Sequence, residues 1–387
     1  MMNERFDFST AGRIIFGAGA LQSISEIAPE FGGHALIVKG AYYPNPERLY
    51  QILDTLGIHK TVFIVTHEPD LDLLKEVVLA GRESQCSFVI GFGGGAPIDT
   101  GKAVAALLNN SGEILDYLEV VGKGLPLQNP SLPYIAVPTT AGTGSEVTRN
   151  AVISIPEKHV KVSMRSAHMI PRVSIIDPEL MLSIPPAITA STGMDALTQV
   201  IEPYVSNSPN SMVDMFCRNG ISLAAQSLLS AYEDGNNIKA RENMAFASLL
   251  GGLSLANGKL GAVHGFAGPI GGMFNASHGV ICAALLPAVM KVNAEVVAKS
   301  AESQTKLDRF RHVACWLTDD ENASIQDGVH WIQDLASALH IPGLSSLGIS
   351  EADFPAIIEN AQASSSMKGN PVVLTPAQME QILATSM

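Results

Sequence analysis

The sequence is poor in charged residues and in aromatic residues. Only 16% of its 387 residues are charged and 6% are aromatic, whereas 47% are hydrophobic. This composition excludes an intrinsically disordered chain and favours a compact α/β protein. Because the length exceeds that of one typical hydrophobic core, we expect two domains.

Positive charge is also scarce. Lys and Arg together number 24 against 37 for Asp and Glu, which gives a net charge of −13. Nucleic acids and anionic membranes bind basic surfaces, so we expect neither as a partner. An anionic cofactor is not excluded, because it needs only a local site.

Cysteine is rare and unpaired in sequence. Cys86, Cys217, Cys282 and Cys315 are scattered and form no CxxC pair. No secretory leader is recognisable, and no stretch approaches the apolar length that spans a bilayer. We expect a soluble cytoplasmic protein whose thiols are reduced and behave as small buried hydrophobic residues.

Residues 87–106 predict a strand, a glycine loop and a helix in direct succession. Residues 88–91 are typical of a strand buried in a parallel sheet. The glycines at 93–95 let backbone N–H groups approach an anion, and the N-terminus of the next helix favours the same anion. The alternative is a tight turn without a ligand. The candidate cofactor-binding residues here are Gly94, Gly95, Ala96, Asp99 and Lys102.

Strand and helix patterns alternate through the first half of the chain, which predicts parallel strands that bind ligands at their carboxyl ends. A β-hairpin is predicted over 151–165, turning at 156–158. The remaining strands are predicted at 13–16, 35–38, 61–65, 87–91, 134–137 and 173–176, and helices at 47–56 and 71–82.

The second half reads as all-helical, so we place the domain boundary after residue 184. Residues 1–184 form the expected α/β domain and residues 185–387 the helical one. Helical patterns cover 192–205, 212–233, 240–256, 280–297, 325–339, 351–361 and 376–384.

A second loop of small and hydroxyl-bearing residues occupies 138–148. Thr139, Thr140 and Thr143 can hydrogen-bond to phosphate or ribose oxygens. The alternative is an ordinary loop that caps a helix. Two such loops at the ends of neighbouring parallel strands are better explained by a dinucleotide.

Residues of metal-ligand type lie in the helical half. Asp195 and Gln199 are four residues apart and share a helix face. The segment between His264 and His278 is rich in glycine and contains a proline, so these imidazoles can converge from different turns. The alternative is a helix-start aspartate, a surface glutamine and hydrogen-bonded core histidines.

Together these motifs resemble the group III, or iron-containing, alcohol dehydrogenase family, over nearly the whole chain. The resemblance implies a Rossmann-like α/β domain, an all-α metal domain in a dehydroquinate synthase-like architecture, and a cleft between them. It also implies oxidation of alcohols or reduction of aldehydes and ketones with NADP or NAD. The motifs that carry it are Gly93-Gly-Gly-Ala-Pro-Ile-Asp-Thr-Gly-Lys102, Pro138-Thr-Thr-Ala-Gly-Thr-Gly-Ser-Glu-Val-Thr148, Asp177-Pro178, Gly193-Met-Asp-Ala-Leu-Thr198, and His264-Gly through His278-Gly to Leu285-Leu-Pro287.

By position, the resemblance places the family's ligands for Fe²⁺ or Zn²⁺ on Asp195, Gln199, His264 and His278. Gln199 replaces the usual histidine and is a weaker, neutral donor. Relatives similar to glycerol dehydrogenase use one aspartate and two histidines, so Asp195, His264 and His278 can suffice as the catalytic set. The metal would act as a Lewis acid. Alternatives are a metal-independent reductase similar to maleylacetate reductases and a non-catalytic nucleotide-binding relative.

The cofactor site departs from the family pattern after the second strand. NAD-preferring members place an aspartate there, whereas this chain has Lys39 and Gly40. Without that carboxylate a 2′-phosphate is not repelled, which favours NADP slightly over NAD. Lys161 in the hairpin is a further candidate for a phosphate or ribose contact.

The substrate pocket departs from the pattern too. Gly268 stands where many members have a histidine, which predicts a larger pocket. Phe266 and Phe274 are candidate pocket residues. The family also implies a homodimer or higher homo-oligomer, and residues 5–16 could supply the edge strand for it.

Overall fold

The computed structural model describes residues 5–41, 45–274, 276–299 and 303–387. Contacts within the chain divide it into an α/β unit, Ser9–Ile184, and a helical unit, which takes in Pro185–Met387. The described residues 5–8 group with the helical unit, whereas the sequence interpretation assigned them to the α/β domain.

A six-stranded, all-parallel sheet forms the α/β unit, in the order β1-β8-β5-β4-β2-β3, and confirms the predicted fold class. A separate antiparallel hairpin, β6-β7, turns at residues 156–158 as predicted. The strands are β1 (Ile14–Phe16), β2 (His34–Gly40), β3 (His59–Val65), β4 (Phe88–Gly93), β5 (Tyr134–Pro138), β6 (Asn150–Ile155), β7 (Val160–Arg165) and β8 (Val173–Ile176).

The sheet is covered on both faces, which explains its continuous apolar strands. Alternate residues of a strand point to opposite faces, so Leu36 and Val89 enter one core while Ile37 and Ile90 enter the other. All six residues of β4 are buried. The helices of this unit are α1 (Ile24–Ile27), α2 (Glu47–Thr55), α3 (Leu71–Glu83) and α4 (Gly95–Leu108).

The second unit is helical, with no strand among its described residues. Seven of its helices match the predicted segments, but α8 and α10 were not predicted, since α8 is rich in glycine and α10 in charged and polar residues. The helices are α5 (Pro186–Val205), α6 (Ser211–Glu233), α7 (Ile238–Asn257), α8 (Ala262–Phe274), α9 (His278–Val297), α10 (Ser303–Thr318), α11 (Ile325–Ala338), α12 (Phe354–Ala363) and α13 (Pro376–Thr385).

Helix α9 corrects one expectation from the sequence. It has 20 residues and enough apolar character to cross a membrane by length and composition alone. However, 67% of its apolar window is buried inside the protein, as in the core helix of a globular domain. The expectation that no stretch approaches this length was wrong, because the polar His278 and Lys291 interrupt the run without making it hydrophilic.

A buried lysine ties α4 to the second loop. The Lys102 side chain is fully buried, and its Nζ donates to Ser145 O at 2.7 Å, Thr148 Oγ1 at 2.9 Å and Asn150 O at 2.7 Å. Burial lowers the pKa of Lys102, and the Asp99 carboxylate, 3.4 Å away, partly offsets this. Removing the ammonium would leave several buried acceptors without a donor.

Glu146 is a second buried titratable group, and it interacts electrostatically with this lysine. Burial raises its pKa to about 7, although its own backbone N–H and Lys102 act in the opposite direction. The folded protein therefore binds a proton here between pH 4.5 and 7 that the unfolded chain releases. The stability contributed by the neutral form is lost as the pH rises through about 7.

We expect Glu146→Gln to flatten the pH dependence of stability. The wild-type free energy of unfolding should fall from pH 5 to pH 8 by up to about 3 kcal/mol relative to the variant. Urea denaturation followed by circular dichroism at both pH values measures this, with the exposed Glu157→Gln as the control. Parallel pH profiles for the wild type and Glu146→Gln would contradict the assignment.

Candidate metal centre and nucleotide-binding loops

One face of α5 carries three buried polar residues. Asp195, Gln199 and Glu202 follow one another at helical spacing and are each nearly inaccessible to solvent. Polar groups are rarely buried without partners, so this row indicates a functional cluster within the helical unit.

Glu202 fixes the start of α8 and the orientation of His264. Its carboxylate accepts from the Val263 backbone N–H at 2.6 Å and from the His264 Nδ1 at 2.7 Å. Since Nδ1–H faces this carboxylate, the His264 Nε2 is turned toward Asp195, 3.5 Å away. A carboxylate behind a histidine is the usual support of a metal-binding imidazole.

His278 and Cys282 come from the first two turns of α9. They are four residues apart, and the Cys282 Sγ lies 3.6 Å from the His278 Nε2. The His278 Nε2 is 3.8 Å from the Asp195 Oδ1. Gly279 allows α9 to start this close to α5, because a Cβ there would lie 2.5 Å from the Ser191 carbonyl oxygen.

These residues form a cluster that can hold a metal ion. One ligand atom each from Asp195, His264, His278 and Cys282 lies within 4.8 Å of the others. The Asp195 Oδ1, the His264 Nε2 and the Gln199 Oε1 are buried and have no hydrogen-bond partner among the described residues. Buried polar atoms without partners that converge on one point fit a divalent cation.

The charges in the cluster influence one another strongly. Burial alone lowers the pKa of His264, but the Asp195 and Glu202 carboxylates reverse this and raise it to about 10. Burial raises the pKa of Asp195, whereas His278, His264 and hydrogen bonding from Gln199 lower it, and the lowering prevails. Burial, with Asp195 and Glu202, raises the pKa of the Cys282 thiol. In the absence of a metal, a proton on His264 compensates the two carboxylates.

The residues expected around the substrate lie on or next to α8. Gly268 is one turn after His264, and a Cβ there would meet no atom of the described residues within 4 Å, so these leave open space beside it. Phe274 is half-buried. Phe266 is fully buried and serves as a core residue.

The two glycine-containing loops of the α/β unit are in direct contact. They follow the adjacent strands β4 and β5, and the Thr139 N–H donates to the Gly93 carbonyl at 2.9 Å. A Cβ on Gly95 would lie 2.8 Å from the Thr143 side chain. Gly94, Gly95, Ala96, Thr140 and Thr143 are partly exposed, whereas Thr139 is buried.

Strand β2, which pairs with β4, has Lys39 and Gly40 as its last two residues. The sheet order reverses between β2 and β4, because β2 leads outward to β3 and β4 leads to β5 on the other side. Ligands of open α/β sheets bind at such a reversal. Gly93 has φ of +152° and closely approaches Gly40, and a Cβ on Gly93 would lie 2.6 Å from the Pro97 side chain, which packs at this point.

The side chains of three predicted cofactor-binding residues form hydrogen bonds or ion pairs with other residues of the chain. Asp99 accepts from the Val152 N–H at 2.9 Å and lies beside Lys102, whose amine is fully buried. The Lys161 Nζ lies 2.5 Å from the Glu68 carboxylate. These side chains support the loops and the hairpin in this structure.

Sequence reasoning missed Glu202 and Cys282. Glu202 could have been found from its spacing of seven residues after Asp195, which places both on one helix face. Cys282 follows His278 by four residues, a common spacing of paired metal ligands on a helix. It was set aside as a small core residue because no other cysteine lies near it in sequence.

Known proteins are similar to this chain in sequence and in fold. The profile of iron-containing alcohol dehydrogenases matches residues 11–178, and that of the family's C-terminal part matches residues 189–387. The chain is 35% identical over 384 residues to a 1,3-propanediol dehydrogenase from Citrobacter freundii, with 96% of each chain covered. It is 34% identical to alcohol dehydrogenase 4 of Saccharomyces cerevisiae, with 95% of each covered. An alcohol dehydrogenase structure from Oenococcus oeni matches with a TM-score of 0.90 at 33% identity, covering 99% of this chain and 100% of that one.

We expect Glu202→Gln to weaken metal binding by about ten- to hundredfold, because the neutral amide supports His264 less strongly than the carboxylate. Competition with a chromophoric chelator measures the affinity. Glu242→Gln, on the partly exposed face of α7, is the matched control. An unchanged affinity in Glu202→Gln would show that His264 does not depend on this carboxylate.

Proposed function

The chain belongs to the iron-containing alcohol dehydrogenase family, and on that premise we propose that Asp195, His264 and His278 hold the divalent metal of an NAD(P)-dependent alcohol dehydrogenase. The protein is an oxidoreductase that interconverts alcohols and aldehydes or ketones. The observation that carries the proposed site is the convergence of these three side chains, two of them with unpartnered buried atoms.

In this proposal the helical unit orients the metal ligands and supplies the negative charge of the site. A divalent metal held there supplies Lewis acidity toward the substrate oxygen. Asp195 provides a buried negative charge, and Glu202 keeps the His264 Nε2 directed into the cluster. His278, whose side chain is 38% exposed, leaves one side of the cluster accessible.

The α/β unit binds the dinucleotide in this proposal. Gly94, Gly95 and Ala96 at the start of α4 receive the pyrophosphate, since their backbone can approach an anion closely. Thr140 and Thr143 present hydroxyl groups from the neighbouring loop. Thr139, Asp99, Lys102 and Lys161 act mainly by holding these segments in place.

We further propose NADP(H) over NAD(H) as the preferred cofactor, because the second strand ends with Lys39 and Gly40 and without a carboxylate. The open space at Gly268 favours a substrate bulkier than the smallest alcohols. The 1,3-propanediol dehydrogenase relative supports a short-chain alcohol or aldehyde as the substrate class.

We also propose that the protein is cytoplasmic and forms a homodimer or a higher homo-oligomer. The exposed sheet edge at β1 (Ile14–Phe16), which pairs with β8 on one side, is the candidate contact between copies.

Removal of the metal should abolish activity. We expect protein purified anaerobically to contain stoichiometric Fe²⁺ or Zn²⁺ and to lose aldehyde reduction on chelation, with recovery on metal addition. Asp195→Asn should lower kcat/KM by at least about a hundredfold. Fluorescence titration with NADPH is the control, because dinucleotide binding should survive chelation.

Sustained turnover without metal would contradict this proposal. It would instead favour the metal-independent reductase, for which the glutamine at position 199 is the one supporting observation. Dinucleotide binding without turnover of any alcohol or aldehyde would favour the non-catalytic alternative.

Lys39→Asp should reverse the cofactor preference. A carboxylate there repels a 2′-phosphate and accepts from a ribose hydroxyl, so we expect the ratio of kcat/KM for NADPH over NADH to fall about tenfold or more. Lys123→Asp, an exposed lysine outside the glycine loops, is the control for net charge. An equal effect of both variants would exclude a specific role for Lys39.

A further inference from the structure

We propose that Cys282 is the fourth protein ligand of the metal, in place of Gln199, and that the resulting Asp-His-His-Cys site selects Zn²⁺ over Fe²⁺. This inference rests on the metal site of the proposed function. It changes the ligand set that the family resemblance implies, and it selects one of the two metals that the resemblance allows.

Three of the six separations between the ligand atoms match a tetrahedral zinc site. Zinc bonds of about 2.0–2.3 Å place neighbouring ligands of a tetrahedron about 3.3–3.8 Å apart. The observed separations are 3.5 Å between Asp195 and His264, 3.8 Å between Asp195 and His278, and 3.6 Å between His278 and Cys282. All four ligand atoms lie within 4.8 Å of one another, so the side chains move closer only across the longer separations when they share one ion.

The local structure brings the thiol to this point. His278 and Cys282 are one turn apart on α9 and share the face that is directed at Asp195. Cys282 is buried, so its sulfur is shielded from solvent and from reaction with other thiols. Two of the other ligand atoms, on Asp195 and His264, are buried and unpartnered, which is independent evidence for an ion here.

Gln199 is placed less well for this role. Its Oε1 lies 3.5 Å from the position of a Cβ on Gly251, so this oxygen faces α7, where it is buried and has no hydrogen-bond partner among the described residues. The Gln199 side chain acts on Asp195, whose pKa it lowers by hydrogen bonding. Gln199 therefore orients Asp195, as outer residues of metal sites do.

The chemistry of the donor set indicates which metal binds. A coordinated thiol is deprotonated, so Asp195 and Cys282 together supply two negative charges to a divalent ion. Gln199 as the fourth ligand would supply no negative charge. Thiolate with imidazole donors in tetrahedral geometry favours Zn²⁺, which also binds more tightly than Fe²⁺ to most sites.

Cobalt substitution tests the ligand directly. A thiolate bound to Co²⁺ gives an intense near-ultraviolet charge-transfer band that oxygen and nitrogen ligands do not give. We expect this band in the cobalt-loaded wild type and in Gln199→Ala, and its loss in Cys282→Ser and Cys282→Ala. A wild-type cobalt protein without the band, or a band that survives in Cys282→Ala, overturns the proposal.

Metal affinity provides a second readout. We expect Cys282→Ala to weaken Zn²⁺ binding at least about tenfold more than Gln199→Ala, and to reduce the preference for Zn²⁺ over Fe²⁺. Cys217→Ala removes another fully buried thiol and controls for packing, with folding checked by circular dichroism. A larger loss in Gln199→Ala than in Cys282→Ala overturns the proposal.

The two proposals fail in distinguishable ways. Wild-type protein that binds neither Zn²⁺ nor Co²⁺ and still turns over after chelation contradicts the proposed function itself. Wild-type protein that requires a metal but shows no thiolate band contradicts the role of Cys282 alone.

Discussion

The hydrogen bond between Glu202 and His264 organises the helical unit around the candidate metal site. One buried carboxylate serves the first turn of α8 and the imidazole that projects from it. The helix could not begin there without a partner for its first N–H groups. Hence the residue that stabilises the fold also determines which nitrogen of His264 reaches the cluster.

The α/β unit uses a buried charge in a comparable way. Lys102 lies on α4, directly after the first glycine loop, and its ammonium donates to oxygens of the second loop and of the segment that follows it. A flexible glycine backbone can bind a phosphate well only if its position is fixed. The lysine supplies that rigidity from inside, at the cost of its own desolvation.

Much of the α/β unit could be predicted from sequence, because its apolar strands and glycine loops follow local rules. The parallel order, the hairpin over β6-β7 and the contact between the two loops agree with those rules. Helix α8 could not be predicted, since its glycines and Pro269 disfavour a helix and only tertiary partners such as Glu202 and Asn370 stabilise it. The buried state of Lys102 was missed for the same reason, because its oxygen partners are more than 40 residues away in sequence.

The candidate site shows the same division. Asp195, His264 and His278 carry a recognisable pattern, and they converge in the structure. Only the four-residue spacing from His278 separates Cys282 from a core cysteine in the sequence, and three-dimensional proximity assigns it to the cluster. A motif locates a site, and the side chains around it decide its chemistry.

The half-exposed His278 has a kinetic consequence. The Asp195 and His264 side chains are almost inaccessible, whereas 38% of the His278 side chain contacts solvent. In the proposed metal site, His278 is therefore the ligand on the side that is open to solvent. The rate of exchange of the proposed ion would then depend on His278, and its affinity on the buried donors behind it.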